Sequence, residues 1–186
     1  MKEVQAPKMI LETERLILRH LCLEDLDALF GLYSDPEIRQ YFPEGTLSYS
    51  DTKAELEWHM NGHPAFPELG LWATVLKETN EFIGRCGLLP WKIEERQEVE
   101  VAYLLDKKFW GQGLATEAAL AIVQYAFGYL KLSRLICLID PNNAASINVA
   151  QRIGMHFELK VDGIDGDDFP TLIYAIQKPE SDLEQV

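Results

Sequence analysis

Residues 98–117 read Glu-Val-Glu-Val-Ala-Tyr-Leu-Leu-Asp-Lys-Lys-Phe-Trp-Gly-Gln-Gly-Leu-Ala-Thr-Glu. From Glu98 to Leu105 the pattern is that of a strand, with Glu98 and Glu100 on one face and Val99, Val101 and Tyr103 on the other. From Gly113 to Leu130 it becomes a long, nearly all-apolar helix, expected to be buried on several sides. Gly111 and Gly113 sit at the junction. Glycines there let the backbone approach a ligand closely, and the first N–H groups of a helix lack internal partners, so the turn can cradle a phosphate. Two glycines fit a mere strand-to-helix turn equally well, and the neighbouring segments must decide.

Downstream, Arg134 to Ile139 is a nearly continuous apolar strand, as expected inside a sheet covered on both faces. Strand, long helix and strand form a βαβ unit with the two strands parallel and a right-handed crossover. Asp140 and Pro141 end the second strand, and Asn143 can cap a helix that runs through Ile153 and stops at Gly154. Met155–Val161 and Phe169–Gln177 supply two last strands around an acidic loop, Asp162–Asp168.

Upstream, residues 1–12 read as a loose lead-in and Thr13–Arg19 as a first strand. Leu23–Tyr33 has helical spacing, Asp35 and Pro36 start a short turn through Phe42, and Pro43–Gly45 breaks it. A helix follows from Ser50 or Asp51 to Met60, ending at Asn61 and Gly62. Leu71–Lys77 and Phe82–Leu89 form an antiparallel pair around the hairpin residues Lys77–Asn80. Pro90–Gln97 reads as a polar loop whose Trp91 either lines a substrate mouth or covers the sheet edge.

The whole chain of 186 residues, 47% hydrophobic, has the size of a single domain over residues 1–186, with a frayed tail from Pro179 onward (179–186). Neither a membrane span nor the apolar core of a signal peptide is visible, so a cytoplasmic protein without membrane contact is expected. Lys and Arg number 17 against 30 Asp and Glu, a net charge of −13, which disfavours direct nucleic-acid binding. Cys22, Cys86 and Cys137 lack paired spacing and read as reduced thiols. His59 and His63 are four apart, but Met60 stands where a zinc-protease helix has glutamate, and Gly62 and Pro64 break the helix. They read as solvent-facing or loop histidines, and no metal is expected.

The central turn lacks the Gly-Lys-Ser/Thr ending of a P-loop, and Thr116 stands where a dinucleotide fingerprint needs its third glycine. What remains resembles the Gcn5-related N-acetyltransferases (GNAT), and among them the RimJ/RimL-like branch. The resemblance covers nearly the whole chain: residues 12–16 at the start, Glu100–Asp106, Trp110–Ala118 and Asp140–Gly154. Gly113 and Ala115 match the last anchors of the family's acyl-CoA loop, with Trp110 where Gln or Arg is usual.

This resemblance implies an α/β fold with a central mixed, mostly antiparallel sheet of about seven strands, splayed between two parallel strands and flanked by helices. It implies acetyl-CoA as cosubstrate. The pyrophosphate would meet Gly111, Gln112, Gly113, Leu114, Ala115 and Thr116. The pantetheine arm would pair with Leu104 and Leu105 like an added strand and would bond Asn143, which as a helix cap has a structural role as well.

Acetyl transfer to an amine needs an unprotonated amine, a polarised thioester carbonyl and a proton for the leaving thiolate. Glu100 matches the family's frequently acidic position and is the candidate base, acting through water; solvated charge at the strand's open end is the plainer role, more so for Glu98. The family's thiolate-protonating tyrosine is replaced by Ala150, which leaves Ser146 as proton donor or simply as an early-helix serine. The expected activity is direct acetyl transfer to a protein N-terminal α-amine or a small-molecule amine by a monomer or homodimer; the alternative is a non-catalytic acyl-CoA-binding regulatory module. The loops Phe42–Ser48 and Pro90–Gln97 would form the acceptor mouth.

Overall fold

Eight strands hydrogen-bond into one sheet in the computed structural model, which describes residues 7–61, 63, 65–164 and 168–179. In chain order these are β1 (Met9–Glu12), β2 (Leu16–His20), β3 (Gly70–Leu76), β4 (Glu81–Ile93), β5 (Arg96–Leu105), β6 (Arg134–Ile139), β7 (His156–Asp162) and β8 (Pro170–Gln177). The helices are α1 (Leu26–Tyr33), α2 (Pro36–Arg39), α3 (Tyr49–Asn61), α4 (Leu114–Gly128) and α5 (Ala144–Arg152). The sheet order is β1-β2-β3-β4-β5-β6-β8-β7, antiparallel throughout except for the parallel pair β5–β6. This is the mixed, mostly antiparallel α/β sheet expected, with eight strands in place of about seven.

Alternation along the strands sends one set of side chains to each face. On one face Val101 and Leu105 of β5 join Ile83, Leu88, Leu135 and the α4 residues Leu114, Ala118 and Ile122 in one core. On the other, Ala102 and Leu104 join Leu29 and Leu32 of α1 and Leu56 of α3 in a second. Burying a Leu or Ile side chain of this kind contributes about 1.5–3 kcal/mol, so the two cores hold β5 from both sides and fix where its polar residues emerge.

Beyond shifts of one to three residues at element ends, and a 3-10 turn at Leu23–Asp25 ahead of α1, two segments differ in kind from the sequence expectation. Residues 9–12, expected as lead-in, pair with β2 as a short strand. Residues 90–97 are not a loop, because β4 continues to Ile93, turns at Glu94 (φ 53°) and returns from Arg96 as β5. β3 pairs with β4 only as far as Leu88, so Pro90 lies where one edge of β4 is open and its missing N–H costs no ladder bond there. The expected hairpin at Lys77–Asn80 is present, with Asn80 at φ 54°. Among the described residues no helix is long and apolar enough to cross a membrane.

Candidate active site

The turn between β5 and α4 is fastened from three sides. Asp106 caps a short helical turn at Lys107–Phe109 by accepting from Lys108 N at 3.0 Å, and Trp110 Nε1 donates to Leu105 O at 2.8 Å. Gly111 and Gly113 then adopt φ of 73° and 77°, a region that disfavours side chains. On the far side, Glu117 accepts from Thr13 Oγ1 (2.5 Å), Arg15 N (2.9 Å) and Arg15 Nε (2.6 Å), while Arg15 Nη1 donates to Gln112 O (3.0 Å). Burial pushes the Glu117 carboxyl up, yet these donors hold it below the usual carboxylate range. The first bond of α4 is Glu117 N to Gly113 O, and no acceptor among the described residues takes the backbone N–H groups of residues 111–116. The result is a row of preorganised donors of the kind that binds anions.

Next to this turn the sheet opens. β5 and β6 share a single register pair, Glu100 with Ile136, and beyond it Leu104 and Leu105 line one side of a cavity whose other side includes Leu138 and Ile139. The cavity, about 860 Å3, runs on to Gly111, Gly113, Leu114, Ala115 and Thr116 at one end and to Glu100 and Trp91 at the other. Asn143 and Ser146 border it, with Asn143 Oδ1 accepting from Ser146 N at 3.0 Å as the cap of α5. Tyr103 Oη donates to Ser146 O at 3.0 Å, and the Cys137 thiol donates to Val101 O at 3.2 Å. Ala150, at the position where the sequence lacks a proton-donating tyrosine, is fully buried in the core and lies outside the cavity lining.

At the cavity's far end Trp91 Nε1 donates to Glu100 Oε2 at 2.7 Å. Burial raises the Glu100 pKa above the usual carboxylate value, a rise held back by the Trp91 indole, the Arg85 guanidinium and the Leu138 N–H. Arg85, nearly inaccessible, donates through Nε to Tyr33 Oη (2.9 Å), which donates to Glu55 Oε1 (2.5 Å). Burial pushes the Tyr33 phenol up to about 12, against the pull of Arg85. Arg39, also buried, donates to Gly45 O (2.7 Å), and its guanidinium lies 4.2 Å from the Phe42 ring centre.

The predicted site residues therefore fall along one cavity, with one exception. Gln112 is exposed, donates through Nε2 to Lys108 O (3.1 Å), and contributes a carbonyl to Arg15 instead of a wall to the cavity. Glu98 is not a solvated charge: it is buried and pairs with Arg134 (Nε–Oε2 3.0 Å), which also pairs with Glu158 at 2.8 Å. That engagement lies outside the cavity lining. His59 is not solvent-facing either. It is buried on the inner face of α3, takes the Leu71 N–H on Nδ1 (3.3 Å), and burial, with Arg85 adding to it, drives its pKa down to about 3. His63 is half-buried and takes the Ala65 N–H on Nδ1 (3.1 Å), while Gly62 and Pro64 lie outside the described residues. Of the expected acceptor mouth, Phe42, Pro43, Glu44, Leu47 and Trp91 line the cavity. Arg39, Arg85, Tyr33 and Glu55 were missed by sequence reasoning. A charge at position 85 inside the apolar run Phe82–Leu89 was the available signal.

Residues 15–156 match the family model described as "Acetyltransferase (GNAT) domain". Among curated proteins, "Uncharacterized protein YkkB" of Bacillus subtilis is 38% identical over 153 residues, covering 81% of this chain and 87% of its own. The "Uncharacterized N-acetyltransferase p20" of Bacillus licheniformis is 31% identical over 148 residues, covering 80% and 83%. Among solved structures, an acetyltransferase (GNAT family) from Bacillus anthracis superposes with a TM-score of 0.78 at 27% identity, covering 91% of this chain and 98% of that one.

Proposed function

We propose, from the premise that this chain belongs to the GNAT acetyltransferase family, that it moves an acetyl group from acetyl-CoA directly to a primary amine, either a protein N-terminal α-amine or a small-molecule amine. One observation carries the reading: one cavity joins the N–H groups of the glycine turn, which no acceptor among the described residues takes, to the half-buried Glu100. When bound, acetyl-CoA would supply the activated acetyl thioester. The chain's residues fit it, since the donors at 111–116 suit a diphosphate and the cavity volume lies in the usual range for small-molecule sites.

The backbone of Leu104 and Leu105, at the opening of the sheet, would take the amide-bearing arm as a strand takes a partner. Asn143 commits its oxygen to Ser146 N, which leaves its Nδ2 group to donate toward that arm. Glu100 would accept the proton of the attacking amine, directly or through a water. A carboxylate whose pKa is raised by burial is a stronger base than a solvated one, which suits this task near neutral pH. The new N–C bond would form as the C–S bond breaks, and the departing sulfur would take up a proton, with the Ser146 hydroxyl, which borders the cavity, as the candidate donor.

Following free thiol while the protein is incubated with acetyl-CoA and a panel of amines tests this. Glu100→Gln should lower turnover about a hundredfold or more while leaving thermal stabilisation by CoA intact. Stabilisation by CoA with no thiol release for any amine would leave only an acyl-CoA-binding module.

A further inference from the structure

The acceptor end of the cavity holds two guanidinium groups that the transfer chemistry does not use. Arg39 and Arg85 have relative exposures of 4% and 5%, and both lie against the same two rings: Arg39 is 5.1 Å from the Tyr33 centroid and 4.2 Å from that of Phe42, and Arg85 is 5.7 Å from each. Burying like charges side by side is costly unless something anionic compensates them. Among the described residues the carboxylate paired with Arg39, Glu44, is largely exposed and sits at 3.4 Å; no carboxylate pairs directly with Arg85, which Glu55 compensates only through Tyr33 Oη and Glu100 only from further along the cavity. Arg85 spends only Nε, on Tyr33 Oη, and neither Nη1 nor Nη2 has a hydrogen-bond partner among the described residues. Both arginines line the cavity.

Arg85 is also placed on the same sheet face as Glu100. In the β4–β5 register Arg85 stands opposite Leu104 and Leu89 opposite Glu100, with Gly87 and Ala102 paired between them. Four residue steps separate their backbones along the strands, about 13 Å at the rise of an extended chain, and the two side chains span part of that distance, since the Arg85 charge acts on Glu100. Ala102, which lines the cavity between them, leaves that floor low, while Gly87 lies under the Gly70 backbone. A cation at one end of that floor and a carboxylate at the other complement a molecule with the opposite arrangement, an amine at one end and an anion at the other.

We propose that the acceptor is an amine that carries a carboxylate, with the Arg85 Nη pair binding the carboxylate and Glu100 receiving the amine; this rests on the acetyl-transfer reading. The planar guanidinium fork matches a carboxylate in a two-point hydrogen bond, and the neighbouring charge of Arg39 adds to the attraction. The chain's overall charge of −13 repels anions at long range, so the selection is made locally by these buried groups and not by steering.

A chain-length series of ω-amino acids, each compared with its own primary amide, tests the assignment in two ways: thiol release with acetyl-CoA, and calorimetric binding of the N-acetylated acid and N-acetylated amide to the CoA-loaded protein. At the preferred length the acid should exceed the amide by about tenfold to a hundredfold in kcat/KM and in product affinity. Arg85→Gln should bring the two within about twofold by raising KM for the acid alone, and Arg85→Lys should fall between. If Arg85→Gln does not fold, the wild-type acid-to-amide comparison decides by itself. Equal acids and amides at every length, in turnover and in binding, overturn the proposal whether or not transfer occurs. Preferential binding of the acids without thiol release from any amine upholds the carboxylate site and removes the transfer reading instead.

Discussion

Replacing Glu117 with alanine would cut the first turn of α4 loose from the start of β2. The carboxylate accepts three hydrogen bonds, and bonds to a charged group contribute about 1.5–3 kcal/mol each when desolvated. The Arg15 side chain is 45% exposed, so its share is screened to about 0–1 kcal/mol. The Thr13 hydroxyl and the Arg15 backbone N–H carry the remainder, and because the three bonds share one acceptor they do not add in full. A net loss of about 2–3 kcal/mol corresponds, for a domain of this size, to a fall in Tm of about 4–12 °C. The donors hold the carboxyl below the ordinary glutamate value, so its contribution is complete above about pH 4.5 and disappears as pH falls through the folded pKa. The gap between wild type and Glu117→Ala should therefore be widest near neutral pH and close toward acid. CoA affinity should weaken too, because Arg15, which holds the Gln112 carbonyl at 3.0 Å, loses its own anchor. Thermal melts across this pH range with calorimetric CoA titration measure all three effects. A Tm change smaller than about 2 °C at neutral pH, or a gap that widens in acid, would refute the account.

Gly111→Ala meets no atom within 4 Å of the new methyl, so its cost is conformational only: about 1–2 kcal/mol for φ of 73°, seen as a lower Tm and weaker CoA binding. Unchanged values for both would show that the turn tolerates another conformation. Gly87→Ala instead drives a methyl into the Gly70 carbonyl, backbone against backbone, and should destabilise by about 1–3 kcal/mol or more in a denaturant titration; a neutral result would mean that β3 moves freely. His59 has a folded pKa of about 3 against 6.5, so its stabilising effect is full above pH 6.5 and about 3–6 kcal/mol is lost as pH falls toward 3. His59→Gln should flatten that acid slope. Parallel slopes for the two proteins would place His59 in water.

The elements that build the cradle were legible because their signals were long and regular: an apolar helix, an apolar strand and a capping asparagine left little choice at residues 114–153. Asn143 proved to be the cap that its position suggested. The misses have local causes. Met9–Glu12 is four residues long and is a strand only because β2 offers it an edge, which tertiary pairing decides and propensity does not. Pro90 suggested a break, but the open edge of β4 past Leu88 removed the reason for one. The burial of His59 depends on which face of α3 meets β3, and the weak amphipathic pattern of that helix gives no direction. Arg39, Tyr33 and Glu55 come together with Arg85 from three helices and a strand, so no local spacing announces them.

The lone pairing of Glu100 with Ile136 means that this protein carries a sheet edge inside itself. Unpaired edges on a surface invite foreign strands. Here the backbone beyond the pairing lies within a cavity lined by residues of α5 and the glycine turn. Across that gap the Cys137 thiol on Val101, the Tyr103 hydroxyl on Ser146 and the Arg134–Glu98 ion pair join the half-sheets β1–β5 and β6–β8. A cosubstrate that fills it would act as a missing rung, so that occupancy and the rigidity of the whole sheet rise together.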